Sequence, residues 1–326
     1  MVPLRVALYG LGDAGGLHAR ALAAAAVDDL AWTAIAGRDA AGVARFRARA
    51  AVPDRVRGFT SLDALLAADV ADAIIIATPD GCHADHARAC IAAGRHVLIE
   101  KPLALTVADA AAVIDAAAAA GVAVAVGYHL RHHAGHQLLR ARAAALCGRV
   151  RHVAVTWAWP DPATDGWRAR GDGARSWSLA ALGTHGLDLV AWLGGAPIAR
   201  VAAVTEPPGG IDRAAVVALG LANGITASVA CAVTHRAPSR VIVSGDAGEV
   251  EAIATLGAHG RGELWHRPVE PRGQVTPLAF VPHDPYRAQL AALAAQVRAR
   301  VPNDRDELLG NVAVLARVHA SAAVDA

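Results

Sequence analysis

The chain has 326 residues, 55% of them hydrophobic and only 4% aromatic, with a formal net charge of +2. That length suits about two domains of roughly 150 residues each, and arginines interspersed with acidic residues form no basic stripe for nucleic acid. Gly, Asp and His interrupt the apolar start "MVPLRVALYGLGDAGGLH", and no run approaches the roughly 20 uninterrupted apolar residues of a membrane span. Cysteines at 82, 90, 147 and 231 include no C-x-x-C pair, which argues against a zinc site or a disulfide framework. These features predict a soluble cytoplasmic protein that binds neither nucleic acid nor membrane.

The first element is a β-prone run, "LRVALYG" (4–10), followed by "GLGDAG" (10–15) and a helical "GLHARALAAAA". The spacing G-x-G-x-x-G, between strand and helix, suits a dinucleotide: a tight turn, close backbone approach to a pyrophosphate, and phosphates at the helix N-terminus. The expected cofactor contacts here are Gly10, Leu11, Gly12, Asp13, Ala14 and Gly15; a glycine-rich turn of another α/β protein is the alternative. A second strand, 30–36, ends at Gly37 and Arg38. A small residue followed by arginine suits a 2′-phosphate, so NADP is favoured over NAD, with Asp39 still within reach of a ribose.

Strand 71–79, helix 84–93, strand 95–102, helix 107–120 and strand 122–128 continue the alternation, which predicts a parallel, doubly wound sheet. Ligands in such sheets bind at the carboxyl ends of the strands. Thr78, Pro79, His83, Glu100 and Lys101 are therefore candidate cofactor neighbours. Lys101 is singular. The chain holds 31 lysines and arginines, and Lys101 is the one lysine. Beside a nicotinamide, a lysine can hydrogen-bond a reacting oxygen and release or accept its proton, whereas arginine stays protonated. Lys101 is thus the first catalytic candidate.

"GLGDAG", "ATPDGCHADHARACIAAGRHVLIEKPLA" and "GYHLRHH", in this order and spacing, resemble the glucose–fructose oxidoreductase/inositol dehydrogenase/rhizopine-catabolism (Gfo/Idh/MocA) family. The likeness runs through the chain and is strongest over 4–130. It implies a Rossmann domain over 1–127 and an α/β domain over 128–326 with an open, mostly antiparallel sheet, the C-terminal helix packing back on the first domain. It also implies NAD(P)-dependent hydride transfer at a hydroxyl or oxo carbon of a sugar, cyclitol or related small molecule. The family's Glu-Lys-Pro lysine corresponds to Lys101. Its members often assemble through the open sheet face, so a homodimer or homotetramer is expected.

Beyond residue 128 the reading gives a helix at 133–146, a strand at 149–159 and a Pro/Asp/Gly-rich loop at 160–177. A helix over 179–193 and strands to about 281 follow, with helices 284–301 and 306–323 closing the chain. In the family the 179–193 helix carries Asp-x-x-x-His-x-x-Asp; the matching residues here are Ala181, His185 and Asp188. His185 is the second catalytic candidate, and Asp188 a structural or orienting partner. The missing aspartate leaves Asp161, Asp165 and Asp172 on the loop as possible replacements. It also keeps open a noncatalytic, dinucleotide-binding regulator or degraded family member. Candidate substrate contacts are His129, Arg131, Trp167, Trp177, Thr184 and His185. His129, His132, His133 and His136 have spacings that suggest metal, but the segment matches the family's strand-to-helix joint with Arg131 at its usual arginine position, so no metal is expected.

Overall fold

The computed structural model describes residues 2–24, 29–161 and 176–323. These fall into two compact units, Met1–Gly127 with Tyr286–Val312, and Tyr128–Pro285 with Ala313–Ala326.

The first unit is built on six parallel strands: β1 (Leu4–Tyr9), β2 (Leu30–Ala36), β3 (Arg57–Phe59), β4 (Ala73–Ile76), β5 (His96–Ile99) and β6 (Val124–Val126). Their order, β3-β2-β1-β4-β5-β6, reverses direction between β1 and β4. That reversal opens a crevice at the carboxyl ends of the strands. All four residues of β4, "AIII", are buried, as required of a strand covered on both faces. The helices are α1 (Asp13–Ala23), α2 (Ala40–Arg49), α3 (Leu62–Ala67), α4 (His83–Ala92) and α5 (Val107–Ala120). Side chains of Asp39, Ser61 and Thr106 accept a backbone N–H at the starts of α2, α3 and α5. Gly121, at φ 67°, ends α5 in the left-handed region.

The helix over Pro285–Ala299 and the start of Arg305–Ala323 are held within this unit. Arg298 pairs with Asp29 and Arg305 with Asp115. The Asn303 side chain donates to Val122 O at 3.0 Å and accepts from Val124 N at 2.8 Å, closing the backbone of the β6 edge.

The second unit contains α6 (Ala134–Cys147), β7 (Val150–Ala158), α7 (Thr184–Gly194), β8 (Ile198–Glu206), β9 (Ala214–Leu221) and β10 (Thr226–Ala232). Four further strands follow: β11 (Arg240–Gly245), β12 (Gly248–Ile253), β13 (Glu263–Pro268) and β14 (Thr276–Pro277). The sheet order is β14-β13-β12-β11-β7-β10-β9-β8, with β7–β10 the one parallel pairing and the rest antiparallel. Val217, Val229, Val155 and Val241 lie in register across four strands and are buried. α7 packs on that face: a Cβ on Gly186 would stand 2.8 Å from Val229 Cγ1, so the helix approaches at glycine distance. Val204 and Val216, neighbours across β8 and β9, are 69% and 59% exposed.

The expected helix over 179–193 is instead a π-turn, Leu179–Gly183, followed by α7. Asp212 organises its start, accepting Trp177 N at 3.1 Å, Leu179 N at 2.8 Å and the Ser178 hydroxyl. Burial raises the Asp212 carboxyl above its ordinary range, and those three donors partly offset the effect. Among the described residues, no helix is long and apolar enough to cross a membrane.

Candidate active site

In the first unit, the glycine turn after β1 has the shape a pyrophosphate needs. Gly10 has φ +106°, and a Cβ there would overlap the backbone of Ala77; a Cβ on Gly15 would overlap the carbonyl of Gly10. A Cβ on Gly12 meets nothing within 4 Å, so space is left open beside the first turn of α1. The residues present therefore fit a dinucleotide, whose phosphates the backbone N–H groups at the helix start would hold. Arg49 of α2 braces the turn from outside, its guanidinium donating to Gly12 O at 3.0 Å and Leu11 O at 3.3 Å.

At the end of β2, Gly37 is buried and Arg38 exposed. A Cβ on Gly37 would lie 2.8 Å from Leu11 Cδ1, the end of a flexible side chain, so a side chain at this strand end requires Leu11 to shift. Asp39 caps α2, its carboxylate accepting Gly42 N at 2.6 Å.

Beyond β4, the Thr78 hydroxyl meets His86 Nδ1 at 3.0 Å. The His86 ring stands edge-on to Tyr9 at 4.8 Å. Burial, and then the neighbouring His83, lower the His86 pKa from its ordinary value and favour the neutral ring. Beyond β5, Glu100 is 5% exposed. Its carboxylate meets His18 Nε2 of α1 at 2.8 Å and accepts the backbone N–H of Lys101 at 3.3 Å. A Cβ on Gly127 would come within 3.0 Å of that carboxyl carbon, so the glycine makes room for it. The His18 ring in turn meets Tyr286 edge-on at 5.1 Å. Lys101 itself is half-buried. Glu100 and His83, read from the sequence as cofactor neighbours, are thus fixed by contacts inside the protein: both His83 nitrogens face backbone carbonyls, of Thr78 and of Pro102.

In the second unit, His185 opens α7 behind the π-turn and is 3% exposed. Rings surround it: His129 at 4.9 Å, Trp157 at 5.7 Å and Tyr128 at 6.0 Å between centroids. Tyr128 OH and Thr184 Oγ1 are 3.1 Å apart, and His129 Nε2 is 3.1 Å from Gly257 O. Arg131 forms a two-pronged pair with Asp188, at 2.8 and 2.6 Å, and Asp188 is 1% exposed. Asp188 thus holds Arg131, joining a buried carboxylate to a partly exposed guanidinium. Trp177 is 4% exposed; its indole N–H donates to Asp161 at 3.3 Å and Arg213 stacks over its ring. These contacts anchor its ring inside the unit. Trp167, Asp165 and Asp172 lie outside the described residues.

The remaining histidines of this joint serve the fold. His136 faces Leu130 O at 2.9 Å and Thr255 Oγ1 at 2.8 Å, and burial pushes its pKa down to about 3. His133 Nδ1 accepts Gly135 N, and its Nε2 faces Arg261 O at 3.0 Å. Burial lowers His132 to about 4. Among the described residues, no group of three or more such side chains is arranged to hold a metal ion. Arg49, His18 and His86 escaped the sequence reading. They act through contacts between elements distant in the chain, which no local motif signals.

Two family models match the chain. One, described as an oxidoreductase family with an NAD-binding Rossmann fold, covers residues 4–128, and the Gfo/Idh/MocA C-terminal domain covers 136–251. The chain belongs to the Gfo/Idh/MocA oxidoreductase family. The 1,5-anhydro-D-fructose reductase of Ensifer adhaerens is 32% identical over 155 residues, 47% of this chain and 46% of that protein. The match therefore spans about half the length of that relative. A dTDP-3,4-didehydro-2,6-dideoxy-alpha-D-glucose 3-reductase of Streptomyces violaceoruber is 30% identical over 245 residues, 72% of this chain and 70% of that protein. Among solved structures, an aldose–aldose oxidoreductase from Caulobacter crescentus superposes with TM-score 0.88 at 23% identity, covering 100% of this chain and 99% of that one. At that identity, the superposition speaks for the fold.

Proposed function

We propose that the protein is an NADP(H)-preferring oxidoreductase of small sugar-like or cyclitol-like substrates, with Lys101 as the group that meets the reacting oxygen. The observation that carries this reading is the setting of Lys101 directly after β5, between a buried Glu100–His18 pair and a turn held by His83. When bound, the nicotinamide dinucleotide supplies the hydride chemistry. Lys101 then takes the hydroxyl proton when the substrate is oxidised and returns it to the oxygen when a carbonyl is reduced. His185 is the second proton-handling group. Tyr128, His129 and Trp157 around it offer ring faces suited to the apolar side of a small substrate.

NADP is favoured because position 37 is glycine and carries no carboxylate, Asp39 is engaged as a helix cap, and Arg38 stands exposed beside them. The exposed pair Val204 and Val216 supports association of copies through the sheet. Quenching of intrinsic tryptophan fluorescence by NADPH and NADH, in wild type and Arg38→Ala, tests the cofactor reading. Tighter NADPH binding that Arg38→Ala removes is the expected result; equal binding of both in wild type contradicts it.

Ala181 in place of the family aspartate favours a second reading, a dinucleotide-binding protein without turnover. Cofactor binding with no turnover across sugars, cyclitols, aldehydes and imines is the result that selects it.

A further inference from the structure

His83 opens α4 and is completely buried. Its Nδ1 lies 2.7 Å from the carbonyl oxygen of Pro102 and its Nε2 lies 2.8 Å from that of Thr78. Carbonyl oxygens accept and never donate, so each contact is a hydrogen bond only when the ring nitrogen carries a proton. A ring bearing both protons donates to both carbonyls; a ring bearing one holds a single loop. Two buried histidines of the second unit, His133 and His136, are partnered differently. His133 accepts a backbone N–H on one nitrogen and His136 meets a hydroxyl, so each is satisfied with one proton.

The two carbonyls belong to the turns that follow β4 and β5, and Pro102 is the residue after Lys101. On its other side, the Lys101 N–H is held by Glu100, which is itself held by His18. Lys101 is therefore fixed on both flanks, from α1 through Glu100 and from α4 through Pro102.

We propose that His83 is a positioning residue for Lys101, its Nδ1 clamping the Pro102 carbonyl, and with it the Lys101–Pro102 turn, to the start of α4, while the Nε2 contact to Thr78 is separate. This rests on the reading of Lys101 as the group that meets the substrate oxygen. The clamp differs from a general role in folding because its two ends can be removed separately. Asn at position 83 carries its amide nitrogen near the place of Nδ1 and keeps the bond to Pro102. Gln carries it near the place of Nε2 and keeps the bond to Thr78. Leu keeps neither.

The single lysine gives a probe that needs no substrate. Reductive methylation with ¹³C-formaldehyde, on the 326-residue chain carrying no tag lysine, labels Lys101 and the N-terminal amine alone. The dimethyl-lysine NMR resonance is then followed with and without NADP⁺ in wild type, His83→Asn, His83→Gln and His83→Leu, with circular dichroism as the check on folding. The expected result is a Lys101 resonance and NADP⁺-induced shift kept by His83→Asn and displaced or lost in His83→Gln and His83→Leu. A folded His83→Leu with an unmoved Lys101 resonance overturns the proposal. If His83→Leu fails to fold, Asn and Gln decide, and matching resonances in those two overturn it. Turnover of Lys101→Met tests the underlying reading separately. Wild-type turnover there removes the role of Lys101, whereas an inactive Lys101→Met with unmoved resonances in the His83 variants removes the clamp alone.

Discussion

Acid is expected to destabilise the second unit through His136. The ring is 0% exposed, its pKa is pushed down to about 3 from an ordinary 6.5, and burial is the main cause, with His133 adding to it. The unfolded chain binds a proton at this ring near pH 6.5, and the folded chain only near pH 3. Between those values the unfolded state holds more protons, so stability falls as pH falls, by about 1.4 kcal/mol per pH unit. Above pH 6.5 both states are neutral at this ring and its contribution does not vary. From pH 6.5 to about pH 4.5, His136 alone removes on the order of 2–3 kcal/mol. His136→Asn loses the hydrogen bond to Thr255 or Leu130 and costs about 1–3 kcal/mol at neutral pH, but it has no proton to gain. The two stability curves should therefore approach one another on acidification. Among the described residues, every tryptophan but Trp32 belongs to the second unit, so their fluorescence in urea titrations at several pH values follows that unit. A wild-type and a His136→Asn midpoint that fall in parallel from about pH 7 to about pH 4.5 refute the assignment of the acid sensitivity to this ring.

Arg131→Met leaves the Asp188 carboxylate, 1% exposed, without its two-pronged partner, and should cost about 3 kcal/mol or more, read as a lower urea midpoint; an unchanged midpoint contradicts the pairing. Gly37→Asp forces a Cβ against Leu11 and brings a carboxylate to the strand end. It should weaken NADPH binding about tenfold or more, roughly 1.4 kcal/mol, while NADH binding falls less, as measured by fluorescence quenching. Val216→Arg places a charge in the exposed valine pair and should shift the protein toward monomer in light scattering; an unaltered mass shows that this part of the sheet does not mediate association.

The nucleotide half was legible because its signals are local. Strand 30–36 and helix 107–120 fall where the apolar runs place them, and the three glycines meet their three different steric demands. α2, β3 and α3 carry no such signal: α2 is rich in arginine, β3 has three residues on a sheet edge, and α3 has six. Short edge elements bury too little to leave an apolar period. The π-turn was also hidden, because it depends on Asp212, more than 30 residues away in the chain, gathering the donors at its start. A histidine whose ring nitrogens face backbone carbonyls, as those of His83 do, cannot be told in the sequence from one that faces a ligand. The Trp177 N–H contact to Asp161 was not legible either, because it joins the ring to a residue 16 positions away in the chain.

The central claim is that Lys101 handles the substrate proton during NADP(H)-dependent hydride transfer. Turnover by wild type and Lys101→Met across sugars, cyclitols and their keto forms, with NADPH affinity measured alongside, tests it most directly. The account predicts a substrate for wild type and a loss of about 10²-fold or more in kcat for Lys101→Met, with NADPH affinity little changed. Lys101→Met turning over that substrate at the wild-type rate would contradict it.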